Sequence, residues 1–175
     1  LGCGYGRVLR EIAPGTRCAV GIDTSADSLR LARELLGGPG ITALARMDAG
    51  RPGFAPASFD VVLCVQNGIS AFHVDRRSLL AQAVALVRPG GTALFSSYAE
   101  EFWDDRLEWF RLQAAEGLVG EIDEAATGGG VIVCRDGFTY TTVGPCEFYT
   151  LTRGLGREVR LETVAGSSLF CEIQL

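Results

Sequence analysis

Glycines at positions 2, 4 and 6 stand immediately before a helical stretch beginning at Arg7, and an aspartate ends each of the two apolar runs that follow. Leu1-Gly2-Cys3-Gly4-Tyr5-Gly6 reads as a turn into a helix whose bare backbone lets a ligand approach closely. Asp23 lies 19 residues after Gly4, where a carboxylate can accept both hydroxyls of a ribose. Asp48 closes the next run before small residues, which suits it to accept from an exocyclic amine. Together they describe a pocket for an adenosine-containing ligand. A dinucleotide fingerprint needs G-x-G-x-x-G under a pyrophosphate, but Gly6 comes one place early and Arg7 occupies the third glycine's position. A phosphate-cradling P-loop needs a lysine, and the chain has none.

These residues need elements to hold them, and the chain alternates strand and helix patterns. Arg7 to Ala13 reads as a short helix stopped by Pro14-Gly15, and Cys18 to Ile22 as a strand ending at Asp23. Thr24 or Ser25 caps a helix from Ala26 to Leu36, with Leu29, Ala32, Leu35 and Leu36 on one face. Gly37-Gly38-Pro39-Gly40 ends it, and Ile41 to Met47 is the next strand. Val61 to Val65 is a third strand, Asp75 caps a helix from Arg76 to Val87, and Arg88-Pro89-Gly90-Gly91 turns into the strand Thr92 to Ser97. Such alternation predicts an α/β fold, a mostly parallel sheet with helices on both faces. Beyond Ser97 the pattern predicts one helix from Glu100 to Gly117. A hairpin of Val131–Cys134 and Phe138–Thr142, a helix from Pro145 to Leu155 and a closing antiparallel pair, Val159–Val164 with Ser168–Ile173, follow.

Composition narrows the function. The 175 residues fit one domain, with 47% apolar and 21% charged residues. A net charge of −5 and a single basic pair, Arg76-Arg77, argue against a nucleic-acid partner. The longest apolar runs, Val61–Val65 and Leu79–Val87 (broken by Gln82), fall far short of the ~18 residues of a membrane helix, so no membrane partner is expected. Six cysteines form no C-x-x-C pair and have one histidine beside them, so no metal is expected. Cys18, Cys64, Cys134 and Cys171 sit in apolar stretches as small hydrophobes, which fits a reducing, cytoplasmic compartment.

Five ordered motifs carry a resemblance. Leu1-Gly2-Cys3-Gly4-Tyr5-Gly6-Arg7, Gly21-Ile22-Asp23-Thr24-Ser25, Met47-Asp48-Ala49, Phe59-Asp60-Val61-Val62 and Val87-Arg88-Pro89-Gly90-Gly91 resemble those of class I S-adenosylmethionine-dependent methyltransferases. The resemblance implies a Rossmann-like fold of strand order 3-2-1-4-5-7-6 with strand 7 antiparallel. It also implies S-adenosylmethionine as cofactor and a central first strand, which the sequence from Leu1 onward does not include. By the same resemblance, Leu1, Gly2, Cys3, Gly4 and Gly6 hold the methionine part, Asp23 and Thr24 the ribose, and Met47, Asp48 and Ala49 the adenine, with Val65 and Gln66 alongside.

The expected activity is methyl transfer to a small-molecule acceptor at N, O or C. Two alternatives stand beside it, a protein or nucleic-acid methyltransferase and a cofactor-binding protein without catalysis. Gln66-Asn67-Gly68-Ile69-Ser70 is similar to the "G-N-S" loop of small-molecule N-methyltransferases, which places Asn67 at the acceptor. His73, the single histidine, is a candidate base, against a surface role beside the Asp75 cap. Tyr98, after the fifth family strand, is a second catalytic candidate, against simple packing. Trp103 is a candidate substrate contact, although its i, i+4, i+7, i+11 stripe with Leu107, Phe110 and Ala114 also fits a core face. Residues 98–143 are expected to form an acceptor-side insertion within a single domain, 1–175, with Arg135 and Phe138 on its hairpin.

Overall fold

A computed structural model describes residues 1–37 and 42–175. In chain order the elements are α1 (Arg7–Ile12), β1 (Ala19–Asp23), α2 (Ala26–Leu35), β2 (Thr42–Arg46), β3 (Phe59–Cys64), α3 (Gly68–Ala71) and α4 (Arg76–Leu86). They continue with β4 (Val87–Tyr98), α5 (Trp103–Ala115), β5 (Ile132–Val133), β6 (Thr139–Tyr140), α6 (Pro145–Thr152), β7 (Glu158–Val164) and β8 (Ser168–Gln174). The helix terminator at 38–40 and the strand start at Ile41 lie outside the described residues.

The sheet has two hydrogen-bonded pieces. β1 and β2 pair in parallel, from Ala19 opposite Thr42 to Asp23 opposite Arg46. β3 and β4 pair in parallel, and β8 runs antiparallel between β4 and β7. Between β1 and β3 lies the segment Leu1–Cys3. The Leu1 nitrogen donates to the Leu63 carbonyl at 2.7 Å, and the Cys3 amide donates to that of Ile22 at 2.9 Å. Read across, β2, β1, Leu1–Cys3, β3, β4, β8, β7 reproduces the expected order, with Leu1–Cys3 at the position of the first strand.

Burial explains why these runs adopt these elements. Leu79, Leu80, Ala83 and Leu86 of α4 face the sheet and form one core with Val62 and Cys64 of β3, Phe95 of β4, Phe148 of α6 and Ile173 of β8. On β8 the alternation Leu169, Cys171, Ile173 is buried while the intervening residues are not, as for a strand with one covered face. Helix starts follow the sequence: Ser25 Oγ accepts from the Ser28 amide, and Asp75 Oδ1 from that of Ser78, each cap contributing ~1 kcal/mol. The stripe Trp103, Leu107, Phe110, Ala114 packs with Ile122 and Ile132 in a separate cluster, so it is a core face.

Several sequence expectations are corrected. Arg88–Gly91 lies within β4, which starts at Val87: Phe59 pairs with Val87 but Val61 with Thr92, so the Pro-Gly-Gly turn is bulged out of a continuous strand. The helix expected from Glu100 begins as a 3₁₀ turn, Glu100–Phe102, before α5 starts at Trp103, and α1 likewise passes into a 3₁₀ turn at Ala13–Gly15. Helix α6 ends at Thr152, whose hydroxyl turns back onto the Phe148 carbonyl, and α3 forms within a stretch read as loop. Leu35, expected on the buried face of α2, is 37% exposed near the end of that helix. Cys18 is exposed, because it precedes β1, whereas Cys64, Cys134 and Cys171 are buried. Burial pushes the Cys64 and Cys171 thiols up to about 12, so both stay protonated and behave as apolar side chains. No described helix is long and apolar enough to cross a membrane.

Candidate functional site

The three loop glycines all have positive φ, at 63°, 53° and 89° for Gly2, Gly4 and Gly6, but each is bare for its own reason. A side chain on Gly2 would run into the Phe72 ring, and one on Gly6 would press against Ala32 of α2. Among the described residues nothing lies within 4 Å of where a Gly4 side chain would be, so Gly4 presents the open face of the loop.

Asp23 fixes that face. Its Oδ2 accepts from the Gly4 amide at 2.8 Å and its Oδ1 from the Ser25 amide at 2.9 Å. Ser25, one of the two residues expected to cap, is the helix cap, yet Asp23 is not thereby left free: both oxygens already hold backbone. Each carboxylate oxygen keeps a further lone pair for a ligand. Thr24 is exposed, and its carbonyl accepts from Arg46 Nε. The Met47 amide continues the β1–β2 pairing onto the Asp23 carbonyl, and Met47 Sδ accepts from the Gly53 amide. Asp48 is exposed and uses Oδ1 to close a turn onto the Gly50 amide at 2.7 Å, while Ala49 is buried. Asp48 therefore has a turn role alongside its expected ligand role.

At the end of β3, Val65 leads into two consecutive residues in the left-handed region, Gln66 (φ 57°) and Asn67 (φ 59°). Such backbone costs about 1–3 kcal/mol per residue and persists only where surroundings hold it. Here Ser96 accepts the Gln66 amide on Oγ and the Asn67 amide on its carbonyl. Ser97 Oγ donates to Asn67 Oδ1 at 2.9 Å and accepts from the Val143 amide, while Asn67 Nδ2 donates to the Thr141 carbonyl. Asn67 thus ties β3, β4 and the chain entering α6 together. Ser97→Ala strands a buried amide and an amide oxygen, so we expect a loss of about 1–3 kcal/mol in chemical denaturation. An unchanged midpoint would remove this role.

Beyond β4 the chain closes around a cleft of about 460 Å³ lined by Glu100, Trp103, Arg106, Thr142 and Glu147 among others. Tyr98 stacks on Phe102, 6.1 Å between centroids, and the Arg106 guanidinium lies 4.9 Å from the Tyr98 ring centre. Burial pushes the Tyr98 phenol up, while Arg106 and Arg7 pull the other way. Arg106 is 1% exposed, donates to the carbonyls of Gly130 and Tyr140, and has its pKa lowered by burial. Glu147 is paired with Arg76. His73 is exposed, in the left-handed region, and meets Phe138 edge-on at 5.2 Å. Arg135 makes an exposed pair with Glu121, a turn role.

The structure therefore brings Gly4, Asp23, Asn67 and Tyr98 to one edge, the C-terminal ends of β1, β3 and β4. Sequence reasoning missed Ser96, Ser97 and Arg106. The adjacent serines at a strand end were a usable signal. Arg106, flanked by acidic residues one place before the apolar Leu107, carried none.

A methyltransferase domain family model matches residues 1–91. A curated ubiquinone biosynthesis O-methyltransferase from Methylococcus capsulatus is 35% identical over 100 residues, 55% of this chain and 41% of that protein. The match thus spans well under half of that relative. A crystal structure of a Pyrococcus horikoshii OT3 protein superposes with TM-score 0.74 at 18% identity, over 99% of this chain and 80% of the other. A SAM-dependent methyltransferase from Methanosarcina mazei gives 0.71 at 18% identity, over 99% and 90%. Both share the fold.

Proposed function

The chain belongs to the class I S-adenosylmethionine-dependent methyltransferases, and from that premise we propose that it methylates a small-molecule acceptor bound beside Asn67 and Tyr98. The observation that supports this most is the shared edge: the open face of Gly4 and the Asp23 carboxylate stand at the strand ends that also carry Asn67 and, at the end of β4, the cleft. The residues present fit the cofactor. Gly4 leaves room against the loop, and Asp23 retains one acceptor lone pair on each oxygen for a ribose diol.

In this reading Leu1–Gly6 holds the methionine part, Asp23 and Thr24 the ribose, Met47, Asp48 and Ala49 the adenine, and Val65 and Gln66 complete the wall. The cofactor supplies an electrophilic methyl group on a sulfonium sulfur. The chain's contribution is positioning, which is the dominant requirement for such a transfer. Asn67, locked by Ser97 and Thr141, orients the acceptor; Tyr98 and Trp103 exclude water around it. His73 takes the proton that an O–H or N–H acceptor releases.

Titration of the protein should show S-adenosylhomocysteine binding and no comparable NADH binding. Labelled methyl groups should pass to a metabolite panel rather than to protein or RNA. Tighter NADH binding would overturn the cofactor assignment. Label found only in macromolecules, or cofactor binding without turnover on any fraction, would overturn the acceptor class.

A further inference from the structure

Among the described residues, Arg106 is a buried charge without a counter-charge. Of its five N–H donors, two reach the carbonyls of Gly130 and Tyr140, and no described side chain accepts from its buried Nε–H. Its guanidinium lies within 4.9, 5.9 and 5.6 Å of the ring centres of Tyr98, Trp103 and Phe110, which are neutral partners. No described carboxylate forms an ion pair with it. Buried charges are normally paired, because desolvation otherwise exceeds what neutral contacts return. Yet Arg106 lines the cleft, which is of a size for a small molecule.

The other charges in the cleft do not supply the missing partner. Glu147 is neutralised by Arg76. Glu100 is exposed, so water satisfies it and it demands no cationic ligand. The unmet requirement belongs to the guanidinium, whose planar fork matches a carboxylate with two parallel hydrogen bonds. We propose that Arg106 anchors a carboxylate of the methyl acceptor, so that the substrates of this protein are small organic acids. This rests on the reading that the cleft is the acceptor site of a methyltransferase.

Phenylacetate, phenylacetamide and phenethylamine are matched in shape and differ in charge, so their binding, measured with and without S-adenosylhomocysteine, tests the proposal. Phenylacetate should bind at least about tenfold more tightly than either of the others. Arg106→Gln should abolish that preference while S-adenosylhomocysteine affinity changes less than about twofold. Should that variant fail to fold, Glu100→Gln keeps Arg106 intact and should tighten phenylacetate binding severalfold by removing a like charge. Equal binding of the three probes, preference for the amine, or a preference that survives Arg106→Gln would overturn the proposal. So would a Glu100→Gln protein that binds phenylacetate no better. Absence of S-adenosylhomocysteine binding with the carboxylate preference intact would instead overturn the cofactor reading alone.

Discussion

Replacing Asp23 with alanine is expected to weaken S-adenosylhomocysteine binding about 10- to 150-fold, the equivalent of about 1.5–3 kcal/mol for lost hydrogen bonds to a charged group. Two losses combine. The carboxylate holds the Gly4 amide and the Ser25 amide, so its removal unties the glycine loop from the end of β1. It also removes the acceptors proposed for the ribose. Asp23→Asn, which keeps one oxygen acceptor but not the charge, should fall between. Asp48→Ala provides the contrast: that side chain is exposed and closes a turn onto Gly50, so its effect should stay within severalfold. Calorimetric titration of the three variants reads this order, and an Asp23→Ala protein within twofold of the parent would refute it.

Phe148→Ala should cost about 3–5 kcal/mol of folding stability, the range for truncating a fully buried phenylalanine. Phe148 is 0% exposed and belongs to the main core, with Leu79, Leu80 and Phe95, where α6 packs against α4. The ring is packed within that apolar cluster, so its truncation leaves a cavity. Phe138 is the control. It is 44% exposed at the hairpin turn, and its truncation should cost well under half as much. Equilibrium urea unfolding measures both; equal midpoint shifts for the two variants would mean that burial does not rank them.

Legibility of the fold in the sequence followed how local each cause was. Caps at Ser25 and Asp75 need only residues three apart: Asp75 stands where the sequence put it, and Ser25 is one of the two candidates it offered. The closing β7–β8 pair was visible because its two strands flank a short Ala165-Gly166-Ser167 turn. The start of β4 was misread because Pro89, Gly90 and Gly91 signal a turn, while the pairing of Phe59 with Val87 that extends the strand comes from a distant segment. In the site, the spacing of Gly4 and Asp23 indicated proximity but not that the carboxylate already bonds the loop. Arg106 was hidden altogether. On a helix bearing Asp104, Asp105 and Glu108, an arginine reads as solvated; only the return of 128–142 over α5 buries it.

The segment Leu1–Cys3 stands between two pieces of the sheet, one of two strands and one of four. The Leu1 nitrogen bonds Leu63 on β3, and the Cys3 amide bonds Ile22 on β1. β4 and β8 are each paired on both sides, whereas β1 pairs with β2 and is tied to the glycine loop through the Cys3 and Gly4 amides. Sheet pieces of different size and pairing open at different free energies. Asp23 ends a strand of the two-stranded piece, and Tyr98 one of the four-stranded piece. A ligand gripping both adds RT ln(1 + [L]/Kd) to their union. Occupancy of such a site opposes local opening of either piece, and with it the proteases that exploit such opening.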